Sequence, residues 1–172
     1  MPATEAELFT CLDELGISHV THRHRPVFTV EESADLHQMM PGAHCKSLFL
    51  KDKGGVFLLA VVLAGRRVDL KALGKSPAVP GGRLSFASPE ALWEKLGVTP
   101  GSVTPFALIN TGSKGIHVLL DKAMLAYPLV NYHPLQNGAT TAISPVDLLR
   151  FIRHCGHEPL DIDFDALPAE GG

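Results

Sequence analysis

Hydrophobic positions in the N-terminal part of the chain switch between helical spacing and extended runs, which predicts a mixture of helices and strands. A Thr4–Glu7 capping box and a glycine stop at Gly16 bound the first predicted helix. Its apolar face comprises Leu8, Cys11, Leu12 and Leu15. Residues 17–24 have an extended pattern, and a second capping box, Thr29–Glu32, predicts a helix that continues to about Met39. Helix and strand therefore alternate from the start.

The most regular apolar stretch follows, and its pattern predicts a β-hairpin with a turn near Asp52–Gly55. Its second strand is the apolar run from Val56 to Leu63, and its first strand carries Lys46 among apolar neighbours. A buried ammonium without a partner costs several kcal/mol. Lys46 therefore either extends to solvent along the strand or meets a fixed anionic group such as phosphate.

The remaining pattern continues the alternation of helices and strands to the last part of the chain. The predicted elements are a short helix near Leu70–Leu73, a strand at Arg83–Phe86, a helix from Ser88 to Gly97, a second hairpin with strands at Phe106–Asn110 and Ile116–Leu120, strands at Leu129–Tyr132 and Thr140–Ile143, and a helix from Ser144 to Gly156. The acidic tail after Pro159 is predicted to be peripheral. We predict one α+β domain over residues 1–172, with a single mixed, largely antiparallel sheet flanked by helices.

Composition limits the class of protein further. The chain has 172 residues, 45% of them hydrophobic, which suits one domain with one core, and no apolar run approaches the length of a membrane span. The N-terminus lacks a signal-peptide pattern, so we predict a cytoplasmic protein. The three cysteines are widely spaced, and the histidine clusters lack paired ligands at both ends of a site. We therefore predict reduced thiols, no metal and no cofactor.

Charge is distributed unevenly although the net charge is only -3. Between Lys46 and Arg83 there are eight basic residues against two aspartates, on an otherwise acidic chain. A net negative protein is not a general nucleic-acid binder, and no DNA or membrane partner is predicted. The basic segment is either a solvated face or a small anion-binding strip that contacts one end of a nucleic acid.

Four segments in this order resemble the prolyl-tRNA editing, or YbaK-like, family of aminoacyl-tRNA deacylases. They are His24–Glu32, Lys46–Asp52, the Gly101–Pro105 loop, and Asn131–Leu135 with Asn137. The resemblance covers most of the chain and is greatest to the free-standing proteins related to the editing domain of bacterial prolyl-tRNA synthetase. It implies a mixed sheet flanked by helices and an enzyme that hydrolyses mischarged tRNA for proline, with alanyl-tRNA as the expected substrate. It also implies aminoacyl-tRNA as a partner, with prolyl-tRNA synthetase as a second candidate.

The resemblance assigns catalytic roles to Lys46, His133 and Gly101. Lys46 would anchor the terminal phosphate or a ribose oxygen, His133 would position water or ribose, and backbone at Gly101 would approach the aminoacyl group. For His133, a structural histidine bonded to a carbonyl is an equal alternative. The expected substrate-binding residues are Ser47, Phe28, Thr29, Leu50, Ser102, Thr104, Pro105 and Asn131. Val27, Phe106 and Ile109 are further candidates for the pocket lining, and the expected tRNA-binding cations are Lys51, Arg66, Arg67, Lys75 and Arg83.

One departure from the family pattern concerns substrate choice. Ser47 stands where the family has asparagine after the lysine, and a serine offers fewer hydrogen-bonding groups and a shorter reach. Two alternatives therefore remain: a deacylase for another small aminoacyl-tRNA, with cysteine or serine, and a non-catalytic module that binds tRNA or another nucleic acid. Covalent catalysis is disfavoured because no nucleophile with an adjacent base is evident, since His44 and Cys45 would point to opposite faces of a strand.

Overall fold

The computed structural model describes residues 1–26 and 40–167. Within these ranges, the α-helices are α1 (Glu5–Glu14), α2 (Leu70–Gly74), α3 (Pro89–Leu96) and α4 (Pro145–His154). The strands are β1 (Val20–Arg23), β2 (Ala43–Asp52), β3 (Phe57–Leu63), β4 (Leu84–Phe86), β5 (His117–Asp121), β6 (Val130–Tyr132), β7 (Ala139–Ile143) and β8 (Leu160–Ile162). The predicted helix through Met39, with its capping box at Thr29–Glu32, lies outside the described residues.

The eight strands form one mixed sheet in the order β1-β7-β6-β2-β3-β5-β8, with β4 paired to β2. The β1–β7, β2–β3, β2–β4 and β6–β7 pairs are antiparallel. The β2–β6, β3–β5 and β5–β8 pairs are parallel. The prediction of a mixed, largely antiparallel sheet flanked by helices is confirmed.

Strand β2 lies at the centre of the sheet and carries apolar side chains on both faces. Phe49 packs in a core with residues of α1, α3 and α4, whereas Leu50 packs with Leu73 of α2 and Phe164 on the opposite face. Full burial of one such leucine or phenylalanine contributes about 1.5–3 kcal/mol. The sheet is thus covered on both sides, and a polar side chain on β2 must find a partner or an opening.

The predicted second hairpin is wrong in its first strand. Residues Pro105–Ile109 form a 3-10 helix, because the Thr104 side chain accepts a hydrogen bond from the Phe106 N–H and Pro105 fixes the first φ angle. A second 3-10 turn follows at Thr111–Ser113. The strand at His117–Asp121 is present, but it pairs in parallel with β3 and β8. An apolar run of five residues fits either structure, and the cap decides between them.

The segment after Pro159 is part of the sheet and is not peripheral. Strand β8 pairs with β5 through Leu160, Asp161 and Ile162, and Ile162 and Phe164 are buried in the second core. The acidic residues of this segment alternate with those apolar ones and face outward. The prediction missed this alternation because the apolar positions of the segment, Leu160, Ile162 and Phe164, are separated by aspartates that suggested an exposed tail. Among the described residues, no helix combines the length and apolar character needed to cross a bilayer.

Candidate active site

Among the described residues, one edge of β2 is paired with other strands at its two ends but not between them, apart from a hydrogen bond from the Ala87 N–H to the Phe49 carbonyl. Strand β6 pairs with it at Ala43 and His44, and β4 pairs with it from Leu50 to Asp52. No described strand pairs with residues 45–49 on this edge, and we call this stretch the β2 gap. The His44 carbonyl accepts from Ala64 N–H at 2.9 Å on the opposite edge. Because backbone groups alternate between edges, the Ser47 N–H and C=O point into the β2 gap.

Lys46 lies beside the β2 gap on the face that also carries Leu48 and Leu50. Its side chain is half-buried, and its ammonium makes no hydrogen bond or ion pair with any described residue. Burial lowers the pKa of Lys46 from its usual value, with no carboxylate acting in the opposite direction. The lysine is therefore a partly desolvated cation without a protein counterion in the described part of the chain.

His133 follows β6 and reaches the same place from the neighbouring strand. The β2–β6 register pairs His44 with Asn131, and two residues further along it aligns Lys46 with His133. The Cys45 thiol and the Tyr132 hydroxyl, which are neighbours in this extended register, are close enough for each to shift the pKa of the other. The structure therefore brings Lys46 and His133 to one side of the β2 gap.

The protonation of His133 is set by its surroundings. Its Nδ1–H donates to the Ala139 carbonyl at 3.0 Å, which leaves Nε2 without a partner among the described residues. Burial lowers the pKa of His133, the Ala139 hydrogen bond opposes that effect, and His24 nearby lowers the pKa further. The ring is thus neutral near pH 7, with its Nε2 lone pair available to a water or hydroxyl. The hydrogen bond to a carbonyl, one of the two sequence-based alternatives for His133, is present, and the role of His133 in positioning water or ribose stays a prediction for Nε2.

The Gly101–Pro105 loop borders the segment that follows His133. Gly101 has φ +92°, and a Cβ atom there would lie 3.6 Å from the Asn137 amide nitrogen. A side chain at this position would therefore be strained by the positive φ angle, although the distance to Asn137 is that of an ordinary van der Waals contact. Ser102 and Thr104 are buried, and the Thr104 hydroxyl is occupied as the cap of the 3-10 helix. Thr104 and the buried Pro105 shape this loop from within.

Two polar side chains near the β2 gap are buried without full hydrogen bonding. The Ser47 hydroxyl has no partner among the described residues, and its side chain points to the face opposite Lys46. The Asn131 amide donates to the Pro41 and Ala43 carbonyls at 3.0 and 3.1 Å, while its Oδ1 has no partner in the part of the chain that the structure describes. Asn131 therefore joins β6 to the start of β2. Buried polar atoms are normally hydrogen-bonded, so these two oxygens are exceptions within the described structure.

Several expected pocket residues have other locations. Leu50 and Phe106 are fully buried in the two cores, and Phe106 makes edge-on contacts with Tyr132 and Phe151. Ile109 is half-buried against the first core. Leu50 and Phe106 are thus core residues of the described structure, and Ile109 packs against the core. Val27, Phe28 and Thr29 lie outside the described residues.

The expected tRNA-binding cations divide into two groups. Lys51, Arg67, Lys75 and Arg83 are exposed. Arg66 is only 16% exposed, and it donates to Asp121 at 2.7 Å and to Asp165 at 2.9 Å. Its guanidinium also lies over the Phe164 ring. The charge of Arg66 is thus neutralised within the protein, and this residue joins β5 to the segment after β8.

The sequence reasoning missed two contacts that hold the loop between β6 and β7. His24 bonds through Nε2 to the Thr140 hydroxyl at 2.8 Å, and its ring centroid is 6.3 Å from that of His133. Gln136 donates to the Glu5 carboxylate at 2.6 Å. His24 begins one of the segments that carry the family resemblance, but the Glu5 contact spans most of the chain and has no local sequence signal.

No group of three or more histidine, cysteine or acidic side chains in residues 1–26 and 40–167 is placed to hold a metal ion. The two histidines of the His154–His157 cluster differ in burial. His157 is buried and bonded to Ser113 and to the Ile116 carbonyl, whereas His154 is exposed. The chemistry available at the β2 gap is therefore that of a cation, a neutral imidazole and backbone amides.

Comparison with known proteins assigns the family. Residues 24–151 match the family described as the aminoacyl-tRNA editing domain. The chain belongs to this family. A prolyl-tRNA synthetase associated domain-containing protein 1 from Mus musculus is 40% identical over 163 residues, covering 93% of this chain and 96% of the relative. The prolyl-tRNA editing protein ProX of Acetoanaerobium sticklandii is 34% identical over 147 residues, covering 85% and 88%.

A solved structure extends the comparison to the fold. A proposed trans-editing enzyme for prolyl tRNA synthetase aligns with a TM-score of 0.65 at 26% identity, covering 95% of this chain and 99% of that one. The predictions of an editing-domain family, of its fold and of an aminoacyl-tRNA deacylase are confirmed. The individual site residues stay predictions.

Proposed function

We propose that this editing-domain protein acts in trans on mischarged tRNA for proline and that alanyl-tRNA is its substrate. The observation that carries the proposal is the half-buried Lys46 ammonium, which lacks a counterion among the described residues. The β2–β6 register, extended by two residues, aligns Lys46 with His133, whose imidazole is neutral near pH 7. The 3′ end of a tRNA supplies both missing partners, a phosphate for the cation and a ribose hydroxyl or ordered water for Nε2.

The reaction is hydrolysis of the ester that joins the amino acid to the terminal ribose. Water attacks the ester carbonyl, negative charge develops on the carbonyl oxygen, and the ribose oxygen leaves with a proton. We assign Lys46 to hold the phosphate or ribose, and His133 to orient the attacking water through Nε2. The Ser47 N–H and exposed backbone at Gly101 are the amides that could stabilise the developing oxyanion.

A covalent route through Cys45 does not fit its environment. Burial raises the pKa of the Cys45 thiol to about 12, so the thiolate is scarcely populated near neutral pH. The thiol also points into the first core, away from the face of Lys46. An aminoacyl ester is more reactive than an amide, so a positioned water is sufficient chemistry.

We assign contact with the acceptor stem to Lys51, Arg67, Lys75 and Arg83. Their exposed cations belong to the basic segment between β2 and β4, next to the β2 gap in sequence. Arg66 is left out of this set because two carboxylates already neutralise it. Prolyl-tRNA synthetase is the proposed source of the mischarged tRNA, in keeping with the names of the relatives.

The test is a deacylation assay with tRNA for proline charged with alanine, cysteine, serine or proline. The matched control is alanine on tRNA for alanine, and a reaction without protein corrects for spontaneous hydrolysis. We expect alanine to be removed from tRNA for proline at least about tenfold faster than proline, since one or two methylenes are worth ~1–3 kcal/mol in a shaped pocket. Faster loss of cysteine or serine would redirect the assignment to that substrate. Binding without hydrolysis of any ester would overturn the deacylase.

A further inference from the structure

We propose that His24 is a positioning residue for His133, and that it fixes the ring nitrogen that His133 presents to the β2 gap. This inference rests on the proposed function, because it gives a role to the ring that orients the attacking water. The observations come from three contacts between residues around the end of β1 and the loop that joins β6 to β7.

The first contacts are hydrogen bonds on both sides of Ala139. The His24 N–H donates to the Gly138 carbonyl at 3.0 Å, and the His24 Nε2 bonds to the Thr140 hydroxyl at 2.8 Å. Ala139 lies between these two residues, and its carbonyl is the acceptor for His133 Nδ1–H. The carbonyl that selects the tautomer of His133 is therefore held from both sides by one residue.

The tautomer of His24 is itself determined by a local bond. Its Nδ1 is 2.7 Å from the Arg25 carbonyl, so Nδ1 carries the proton and Nε2 of the neutral ring accepts from the Thr140 hydroxyl. Both nitrogens of His24 are thus engaged, whereas His133 keeps Nε2 for the substrate. The two imidazoles have different tasks although they are close together.

The second effect is electrostatic. The His24 and His133 rings are 6.3 Å apart, so protonation of both is unfavourable. The other charges that face this region are Lys46 on β2, and Glu5 of α1, which contacts the loop through Gln136 and is paired with Arg23. A protonated His24 lowers the pKa of His133 and so favours the neutral ring.

Replacing His24 changes the pKa of His133 in a defined direction. His24→Gln removes the second imidazole, so the pKa of His133 rises, and the acid limb of the activity profile moves to higher pH. A charge about 6 Å away predicts a displacement of about half a pH unit with the dielectric constant of bulk water, and of about two pH units with the effective value near a protein surface. The glutamine amide can still reach the Thr140 hydroxyl, so His133 should keep its Nδ1–H tautomer. His24→Ala loses both the side-chain hydrogen bond to Thr140 and the electrostatic effect on His133.

The experiment is nitrogen-15 NMR of the imidazoles in the full-length protein, titrated with and without the substitutions. His22→Gln is the matched control, because His22 is exposed on the same strand. We expect a single Nδ1–H tautomer of His133 in the parent and in His22→Gln, a raised titration midpoint in His24→Gln, and mixed tautomers in His24→Ala. This readout needs no tRNA, so it is independent of whether the proposed substrate is right.

A deacylation profile against pH completes the test. We expect His24→Ala to lower kcat about tenfold with little change in KM, and His24→Gln to recover most of kcat with a displaced acid limb. If His133 has the same tautomer and the same titration midpoint in all four proteins, the positioning role of His24 is refuted. Where His24→Ala does not fold, His24→Gln alone decides through the midpoint of His133.

Discussion

Two basic side chains from the same stretch of sequence have opposite surroundings. Arg66 is held between Asp121 and Asp165, at the end of the sheet where β5 and β8 pair. Lys46 lies at the β2 gap with no counterion among the described residues. The charge of Arg66 is neutralised by two carboxylates of the protein, whereas Lys46 has no such partner in the described part of the chain. Under the proposed function, Arg66 stabilises the protein and Lys46 binds the substrate.

The buried polar groups near Arg66 are hydrogen-bonded, whereas those near Lys46 are not fully hydrogen-bonded among the described residues. Asp121 is fully buried, but it accepts hydrogen bonds from Arg66, from the Leu63 N–H and from the Ala123 N–H. Near Lys46, the Ser47 hydroxyl and the Asn131 Oδ1 are buried without a partner among the described residues. Unsatisfied buried polar atoms cost about 1–3 kcal/mol each, so this end of β2 is less well stabilised than the Arg66 end.

The largest expected effect is on stability at the Arg66 end. Arg66→Met leaves the Asp121 carboxylate buried and unpaired, which should lower the free energy of unfolding by about 3–5 kcal/mol. For a chain of this size the midpoint of thermal unfolding should fall by about 10 °C. Arg67→Met is the matched control, since Arg67 is exposed. Equal unfolding midpoints for the two variants would show that Arg66 is not a structural ion pair.

An intermediate effect is expected for the exposed cations of the basic segment. The double change Arg67→Gln and Lys75→Gln should raise KM for the aminoacyl-tRNA by about tenfold at low salt. It should also reduce the slope of log KM against log salt by roughly 1.5, because each phosphate contact contributes ~0.7–0.9. Lys114→Gln and Lys122→Gln form a matched control pair away from this segment. An unchanged salt slope would exclude these two residues from phosphate contact.

Smaller effects are expected for Ser47→Ala, which should raise the stability of the free protein and lower its activity. Ser47→Ala removes a buried hydroxyl that has no partner in residues 1–26 and 40–167, so the free protein should gain about 1 kcal/mol of stability. If that hydroxyl bonds the substrate, kcat/KM should fall by about fivefold to tenfold. Ser85→Ala on the exposed edge of β4 is the control. A stabilised variant with full activity would assign Ser47 no role in substrate binding.

Local sequence pattern predicted much of the fold, but it did not predict that Arg66 would be paired with carboxylates while Lys46 would not. The β2–β3 hairpin and the α1, α3 and α4 helices follow from alternation, capping boxes and glycine stops, which are all short-range signals. The pairing of Arg66 with Asp121 joins residues 55 positions apart, and the opening of β2 depends on how β6 and β4 share one edge. Such registers are set by packing across the whole sheet.

The candidate site shows the same limit. Lys46 was identified because a lysine in an apolar strand is unusual at the level of single residues. Leu50 and Phe106 were placed in the pocket lining, yet both lie in the cores, because apolar type does not distinguish a pocket from a core. His24 was overlooked as a site residue, since its partner Thr140 belongs to a strand far along the chain.

The most direct measurement of the central claim compares Lys46→Ala with the parent protein in single-turnover hydrolysis of alanyl-tRNA for proline, together with thermal unfolding of both. A lysine that holds the terminal nucleotide predicts a rate at least about 100-fold lower, the loss typical of a charged positioning group. Because Lys46 has no protein counterion among the described residues, the unfolding midpoint should stay the same or rise. A variant that hydrolyses the ester as fast as the parent, or that loses activity only because it unfolds, would contradict the account.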